Sequence, residues 1–450
     1  MVRILGTPGA DSLEGSAEAE VIFSLGGDDT VRAMEGDDTV FAGDGDDYFG
    51  DVWDFEYGSG NDKYFGGNGN DEIADLGGED IIFGGAGADV IRTDWDFPFG
   101  EGLDTIYADA GEDYIYGIGT LFGGAGNDRI VGGATLFGGS GDDVLTPVAS
   151  QQWVYGGPGQ DRIFFFWNTY SGPFTIDLAH GVIVGRSNYD PSINVYHLVG
   201  VESAEGGEFS DTLIGSATGN VLNGFSGNDR LYGGEGDDRL VGGVDNDLLV
   251  GGAGRDVLDG GDDHDTATYR DSASGVVVNL ALGRGISGDA AGDTLIAIER
   301  VIGSAWNDRL GGGGSGDSLV GGTGDDLLRG GGGIDRLAGQ AGDDWLFGGV
   351  ASDLLLGGDA DDVLLGDAGD DLLFGGDGDD RLAAGRGTDV LRGGGGDDTA
   401  VFTHARSAYA IESSDSGALI LRRGGDTTSV VDVEFLRFSD GTFGTLEVTL

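Results

Sequence analysis

The chain has 450 residues, 95 of them glycine, and 81 acidic against 23 basic side chains give a formal charge of −58. Such a surface repels nucleic acid and anionic membranes and attracts cations. Cysteine is absent, which excludes disulfides and thiolate chemistry, and no apolar run approaches the ~18 residues of a membrane span.

The first residues, MVRILGTPGADSLEGS, lack a basic region followed by an apolar core, so they do not read as a secretory signal peptide. Acidic residues then recur every nine positions, from Asp11 and Glu20 through Asp29, Asp38 and Asp47. The interval stretches to 15 between Asp47 and Asp62, Asp89 and Asp104, Asp113 and Asp128, and Asp128 and Asp143. Fifteen is nine plus six, which predicts a half-coil whose turn has lost three residues. Its strands would be Asp54-Phe55-Glu56, Asp96-Phe97-Pro98, Thr120-Leu121-Phe122 and Thr135-Leu136-Phe137, and Leu121 and Leu136 would point inward. A six-residue surface bulge is the alternative.

A second run occupies Asp211, Asn220, Asp229, Asp238, Asp247, Asp256 and Asp265. A third extends from Asp308 to Asp398 without a slip in its nine-residue interval. Two residues after each turn aspartate lies an apolar residue, such as Ile73, Ile82, Ile91, Ile115, Ile130, Leu231, Leu240, Leu249 and Leu346. Each repeat therefore reads as a glycine-rich turn of six residues, whose glycines supply φ > 0, followed by a three-residue strand with its middle side chain inward. Two repeats make one 18-residue coil. Aspartates one coil apart should stack on the same edge at the strand spacing of roughly 5 Å.

Three segments, about 162–210, 266–307 and 399–450, interrupt or end the repeats and resemble one another. Phe174-Thr175-Ile176-Asp177-Leu178-Ala179 parallels Val276-Val277-Val278-Asn279-Leu280-Ala281, and Val201-Glu202, Ile298-Glu299 and Val433-Glu434 mark a later strand. Their alternation of apolar and polar residues predicts half-buried antiparallel strands that join or cap the arrays and cover sheet edges. The Phe164-Phe165-Phe166-Trp167 cluster reads as core or cap.

The turns GGTGDD (321–326), GGDGDD (375–380), GGAGND (123–128) and GGEGDD (233–238) resemble the RTX, or hemolysin-type, calcium-binding repeat over some three-quarters of the chain. The resemblance implies an all-β parallel β-roll, a right-handed β-helix-like solenoid with interstitial antiparallel strands and a C-terminal β cap. The expected organisation is an N-terminal array with shortened coils (1–161), an interstitial segment (162–210), an array (211–265), a second interstitial segment (266–307), the regular array (308–398) and the cap (399–450). Trp306, Ala351 and Ala360 stand where the fourth-position glycine belongs, which leaves the ion sites beside them open.

The resemblance also implies many calcium ions, held by position-six aspartates and backbone carbonyls because Ca²⁺ takes six to eight oxygens. The candidate ligands are Asp29, Asp38, Asp47, Asp62, Asp71, Asp80, Asp89, Asp113, Asp128, Asp143 and Asp161 in the first array. Asp229, Asp238, Asp247, Asp256 and Asp265 follow in the second. Asp317, Asp326, Asp335, Asp344, Asp353, Asp362, Asp371, Asp380, Asp389 and Asp398 complete the set in the third. Counting stacked pairs gives about 15–20 ions in two rows along opposite edges.

Catalytic signatures are sparse. None of His180, His197, His264 and His404 begins an HExxH motif, and no GxSxG elbow occurs. His180 and His197 share one interstitial segment and read as surface residues, while His264 reads as a solvated position-five residue. The repeats begin by residue 11, which leaves no room before them for a catalytic domain. Trp53-Asp54-Phe55 and Trp95-Asp96-Phe97, with Tyr57 and Phe99, either fill shortened coils or offer stacking faces to sugar rings.

The expected function is that of a secreted, non-enzymatic calcium-binding protein in a structural or interaction role. It would fold on meeting calcium outside the cell and have no nucleic-acid partner and no membrane span. Resemblance supplies a type I secretion apparatus as the export partner, consistent with the C-terminal VEFLRFSDGTFGTLEVTL. The alternative is a polysaccharide-binding or polysaccharide-modifying protein with a site on the roll.

Overall fold

A repeat that buries one side chain cannot form a core alone, so successive repeats must stack. The computed structural model describes residues 2–50, 60–75, 77–93, 103–148, 152–165, 172–186, 193–414 and 418–444. They fall into two compact units, Met1–Ser216 with Val221–Phe225, and Ala217–Asn220 with Ser226–Leu450. Each is a parallel β-roll in which alternate repeats supply two facing sheets, and no α-helix occurs among the described residues.

In the first unit, Glu20–Gly26, Thr39–Asp44, Lys63–Asn68, Ile81–Ala86, Asp104–Ala110, Gly119–Ala125 and Thr135–Ser140 form one sheet. Thr30–Arg32, Glu72–Asp75, Val90–Thr93, Tyr114–Gly117, Arg129–Gly132 and Val144–Pro147 belong to the other. The expected inward residues are the core: Ile73, Ile82, Ile91, Ile115 and Ile130 here, and Leu231, Leu240, Leu249 and Leu346 in the second unit, are fully buried. In the regular array Leu328 pairs with Leu346 and Leu346 with Leu364, a strict 18-residue register.

The 15-residue intervals divide into two kinds. Ile106 pairs with Leu121 and Leu121 with Leu136, while Ile115 pairs with Ile130 and Ile130 with Leu145, so these coils contain 15 residues. Leu121 and Leu136 are fully buried, as the half-coil reading requires. The tight return is made by glycines with φ of 123° at Gly119, 110° at Gly132 and 64° at Gly133.

Elsewhere the half-coil expectation fails. Val40 pairs with Tyr64, Phe49 with Ile73, Ile82 with Ile106 and Ile91 with Ile115, so these coils contain 24 residues. Asp47 and Asp62 are thereby on opposite edges, where a half-coil would have stacked them. Asp51-Val52 and Asp94-Trp95 stand where the returning glycines would be needed. The proposed strands Asp54-Phe55-Glu56 and Asp96-Phe97-Pro98 lie outside the described residues.

The interstitial segments are antiparallel excursions that rejoin the ladder in phase. Thr175–Asp177, Val182–Arg186 and Ile193–Val199 form a meander. Its last strand pairs in parallel with Trp153–Tyr155 and its first with Thr212–Ile214. Val277–Asn279, Arg284–Ser287 and Thr294–Ile296 repeat the device in the second unit, between Val257–Gly261 and Arg309–Gly311. At the C-terminal end Ala410–Ser413, Leu419–Arg423 and Asp426–Val431 do the same beside Thr388–Gly395. Phe165 is buried and meets Phe174 with ring centroids 5.3 Å apart, whereas Phe166 and Trp167 lie outside the described residues.

Strict register also stacks one outward column of the first unit. Phe23, Phe41, Phe65, Phe83, Tyr107, Phe122, Phe137 and Tyr155 follow one another at centroid distances of 4.6–5.0 Å and within 9° of coplanar. Sequence reading missed this column, although each ring stands three residues after a turn's sixth position or its equivalent in a shortened coil.

Candidate metal sites along the roll edges

The turn Gly321-Gly322-Thr323-Gly324-Asp325-Asp326 shows what each position does. Gly322 and Gly324 have φ of 126° and 109°, which explains glycine at positions two and four. Position one needs glycine for a different reason. A Cβ on Gly321 would overlap the Asp326 carboxylate and crowd the carbonyl oxygen of Gly339 in the next coil, so the space is an oxygen-lined cradle. Ala351 and Ala360 hold φ of 79° and 81°, so their turns keep the fourth-position conformation without glycine.

The position-six carboxylates form ladders. The Asp308 N–H donates to Asp326 Oδ1 at 2.8 Å, and the series continues through Asp344, Asp362, Asp380 and Asp398 at 2.8–2.9 Å. A second ladder runs through Asp317, Asp335, Asp353, Asp371 and Asp389 at 2.7–3.1 Å. The array before them stacks Asp229, Asp247 and Asp265 on one edge and Asp238 and Asp256 on the other. In the first unit Asp29, Asp47, Asp71, Asp89, Asp113, Asp128, Asp143 and Asp161 form one ladder across coils of every length. Asp38, Asp62 and Asp80 lie in the other, which continues to Asp104.

Several members escaped sequence reading. The backbone N–H groups of Asp161, Asp265 and Asp398, each the last aspartate of its array, donate to Glu202 Oε2, Glu299 Oε2 and Glu434 Oε2 at 3.0, 3.0 and 2.9 Å. The thrice-repeated apolar-Glu pair was visible, but its role of ending a ladder was not. Asp293, 37 residues beyond Asp256, accepts the Asp256 N–H at 2.9 Å and the Tyr269 hydroxyl at 3.0 Å.

Position five carries a second column that runs the opposite way. The N–H of Asp343 donates to Asp325 Oδ1, that of Asp361 to Asp343 Oδ1 and that of Asp379 to Asp361 Oδ1, at 2.8–3.2 Å. His264 belongs to the equivalent column of the array before it: its N–H donates to Asn246 Oδ1 at 3.1 Å, the Asn246 N–H donates to Asn228 Oδ1, and the His264 side chain is exposed. His180 pairs with Asp177 at 2.8 Å, and His197 stacks on Trp153 at 4.2 Å.

The second position-six oxygen decides the chemistry. Among the described residues, buried Oδ2 atoms of Asp326, Asp335, Asp344, Asp362, Asp380 and their counterparts on both edges have no hydrogen-bond donor. Asp353 Oδ2, in the Ala351 turn, is among them. A buried acceptor without a partner is costly, and a buried carboxylate more so. Burial pushes the Asp326 and Asp362 carboxyls up to about 8, against the pull of the N–H from the preceding coil, and neighbouring aspartates push further. Asp238, Asp344 and Asp380 are raised to about 7, again chiefly by burial.

Hard oxygen ligands at this density suit Ca²⁺. Among the described residues no three acidic or histidine side chains converge on one point, so backbone carbonyls must complete any such coordination sphere. Asp62 Oδ2 lies 3.3 Å from the Tyr64 hydroxyl, and Asp317 Oδ2 accepts the Gly313 N–H at 2.6 Å, so these two candidates differ from the rest.

The model of the RTX calcium-binding nonapeptide repeat matches residues 3–49, 56–91, 100–117, 119–146, 205–267 and 311–400 in overlapping segments, more than half of the chain. The chain belongs to this RTX family. RTX repeats bind multiple calcium ions, and the oxygen-lined cradles fit that cofactor. No curated protein matches at a significant level. Among solved structures, the extracellular lipase LipA from Serratia marcescens aligns at 18% identity over 54% of this chain and 40% of its own length, with a TM-score of 0.16. The chain thus spans about two-fifths of that lipase. A hyperactive, Ca²⁺-dependent, β-helical antifreeze protein from an Antarctic bacterium aligns at 14% identity over 96% of this chain and 94% of its own, also with a TM-score of 0.16. Among the described residues of this RTX chain no helix is long and apolar enough to cross a membrane.

Proposed function

We propose that this chain is a secreted RTX β-roll that folds when calcium fills the rows of edge sites, and that it serves outside the cell as a structural or interaction module. One observation carries the reading: along each edge, buried carboxylate oxygens face oxygen-lined cradles with no donor to neutralise them. The position-six aspartates would supply charged ligands and the turn carbonyls neutral ones, with about 15–20 ions per chain. Extracellular calcium sites commonly work at 10⁻⁴–10⁻³ M, so such a chain stays unfilled in the cytosol and fills after export. Type I secretion is the export route this implies. The arrays 1–161, 211–265 and 308–398, joined by 162–210 and 266–307 and closed by 399–450, are the proposed organisation.

The aromatic column gives no support to sugar stacking, since each inner ring has its faces covered by its neighbours. Trp53, Phe55, Trp95 and Phe97 lie outside the described residues. Circular dichroism tests the proposal. A β-rich spectrum should appear on adding millimolar calcium and vanish in excess EGTA at low ionic strength. A spectrum that survives EGTA would mean that the roll stands without its ions.

A further inference from the structure

Five turns that open an edge of an array are built differently from those that follow. In them the N–H of position two turns inward and donates to the turn's own carboxylate, four residues on. Gly207 donates to Asp211 Oδ2 at 2.8 Å, Ser304 to Asp308 Oδ2 at 2.6 Å and Gly313 to Asp317 Oδ2 at 2.6 Å. Thr7 does the same to Asp11 Oδ2, and Ser16 to Glu20 Oε2 at 3.1 Å. The five turns belong to three separate arrays and share little sequence beyond the first glycine and the final acid: GTPGAD, GSAEAE, GGEFSD, GSAWND and GGGSGD.

We infer that these leading turns hold no calcium ion and are closed instead by their own backbone. The inference rests on the calcium reading above and divides the turns that reading treats alike. In a regular turn, position two holds a positive φ and pairs with the neighbouring coil, as Gly322 does with Gln340, and its N–H makes no bond to the turn's own carboxylate. The second oxygen then has no donor and needs a cation. A leading turn follows no nonapeptide turn on its edge. Its position-two N–H, which requires an acceptor, takes the nearest one. The hydrogen then points at the oxygen that elsewhere faces the cradle, and a cation cannot bind that oxygen without breaking the bond.

The sequence carries a partial signal. Thr7, Ser16 and Ser304 replace the position-two glycine, and none of the three has positive φ. Trp306 accordingly marks a leading turn, whereas Ala351 and Ala360 sit in regular ones. Each array therefore opens on at least one turn whose acceptor is satisfied without an ion, and calcium fills the regular turns beyond it.

A matched pair of substitutions tests this in the full chain. Asp317→Asn keeps an acceptor for the Gly313 N–H, and Asp326→Asn keeps one for the Asp308 N–H but removes the charged oxygen from a cradle. Bound calcium is counted by equilibrium dialysis against ⁴⁵Ca. Asp326→Asn should lower the count by about one ion, and Asp317→Asn should leave it unchanged. Anomalous diffraction from calcium-loaded parent crystals gives a readout that does not depend on either variant folding. No peak should lie within ~2.6 Å of Asp317 Oδ2 or Asp308 Oδ2. An ion there, or an equal loss of calcium in both variants, would overturn the inference while leaving the calcium reading intact. A parent chain that binds no calcium would overturn both.

Discussion

In Asp326 one carboxylate oxygen takes the N–H of the preceding coil and the other faces the cradle, so one side chain both sets register and presents a ligand. The pH dependence follows from that second oxygen. Burial raises the folded Asp326 carboxyl from 3.8 to about 8. Between those values the ion-free fold binds more protons than the unfolded chain, so its stability falls as pH rises. Calcium must displace the same protons. The calcium concentration at half-folding should therefore climb as pH falls from 8 to 6, with protons released on binding at pH 6.5. Conversely, the chain in EGTA should show more β structure at pH 4.5 than at pH 8. Titrations by circular dichroism and pH-stat check both, and curves independent of pH would contradict the assigned burial. Gly321→Ala should weaken binding at its turn more than Thr323→Ala, since a Cβ at 321 meets the Asp326 carboxylate. Sequence reading attributed every turn glycine to φ > 0. It could not see that position one is a matter of space, because a glycine letter does not say which of its two freedoms is used.

The strands and coils were legible to different degrees. Inward residues followed from the nine-residue period because one strand position has one orientation. The 15-residue intervals did not resolve from spacing alone, since a half-coil and a 24-residue coil change the count by the same six residues. Glycines at 117, 119, 132 and 133 against Asp51-Val52 and Asp94-Trp95 distinguish them afterwards. Leu136→Ala should cost about 2–5 kcal/mol in the calcium-loaded chain, as expected for a buried leucine, and denaturant titration measures it. The array ends are equally specific. Glu434→Ala leaves the Asp398 N–H without its acceptor, at a cost of roughly 1–3 kcal/mol. Hydrogen exchange should then speed up around Asp398 while the coils near Asp326 stay protected, and Glu434→Gln should largely restore protection. Uniform exchange across the array would contradict the end-closing role.

For the molecule as a whole, the nine-residue period and the resemblance of its turns to the RTX repeat sufficed to identify a calcium-binding roll. Two carboxylates at the strand spacing of roughly 5 Å repel by about 0.8 kcal/mol in water. The repulsion recurs along each edge, which is why EGTA should abolish the fold and high salt should partly relieve the calcium requirement. What the pattern did not reveal was partnership: the position-five column, the closing glutamates and the self-satisfied leading turns all depend on which coil a group meets. Nonapeptide spacing marks the kind of residue, not its neighbour.

The two edge columns donate in opposite directions, so each coil is held by its predecessor through one and by its successor through the other. Pulled from its ends, such a chain yields coil by coil. Extension at ~3.4 Å per residue gives a length gain of about 60 Å for each 18-residue coil. Coils of 15 and 24 residues would release about 50 and 80 Å. An optical-trap trace of the calcium-loaded protein would then read out the coil lengths as a ruler, with the 15- and 24-residue steps confined to the N-terminal array and larger steps where the interstitial segments join the ladder.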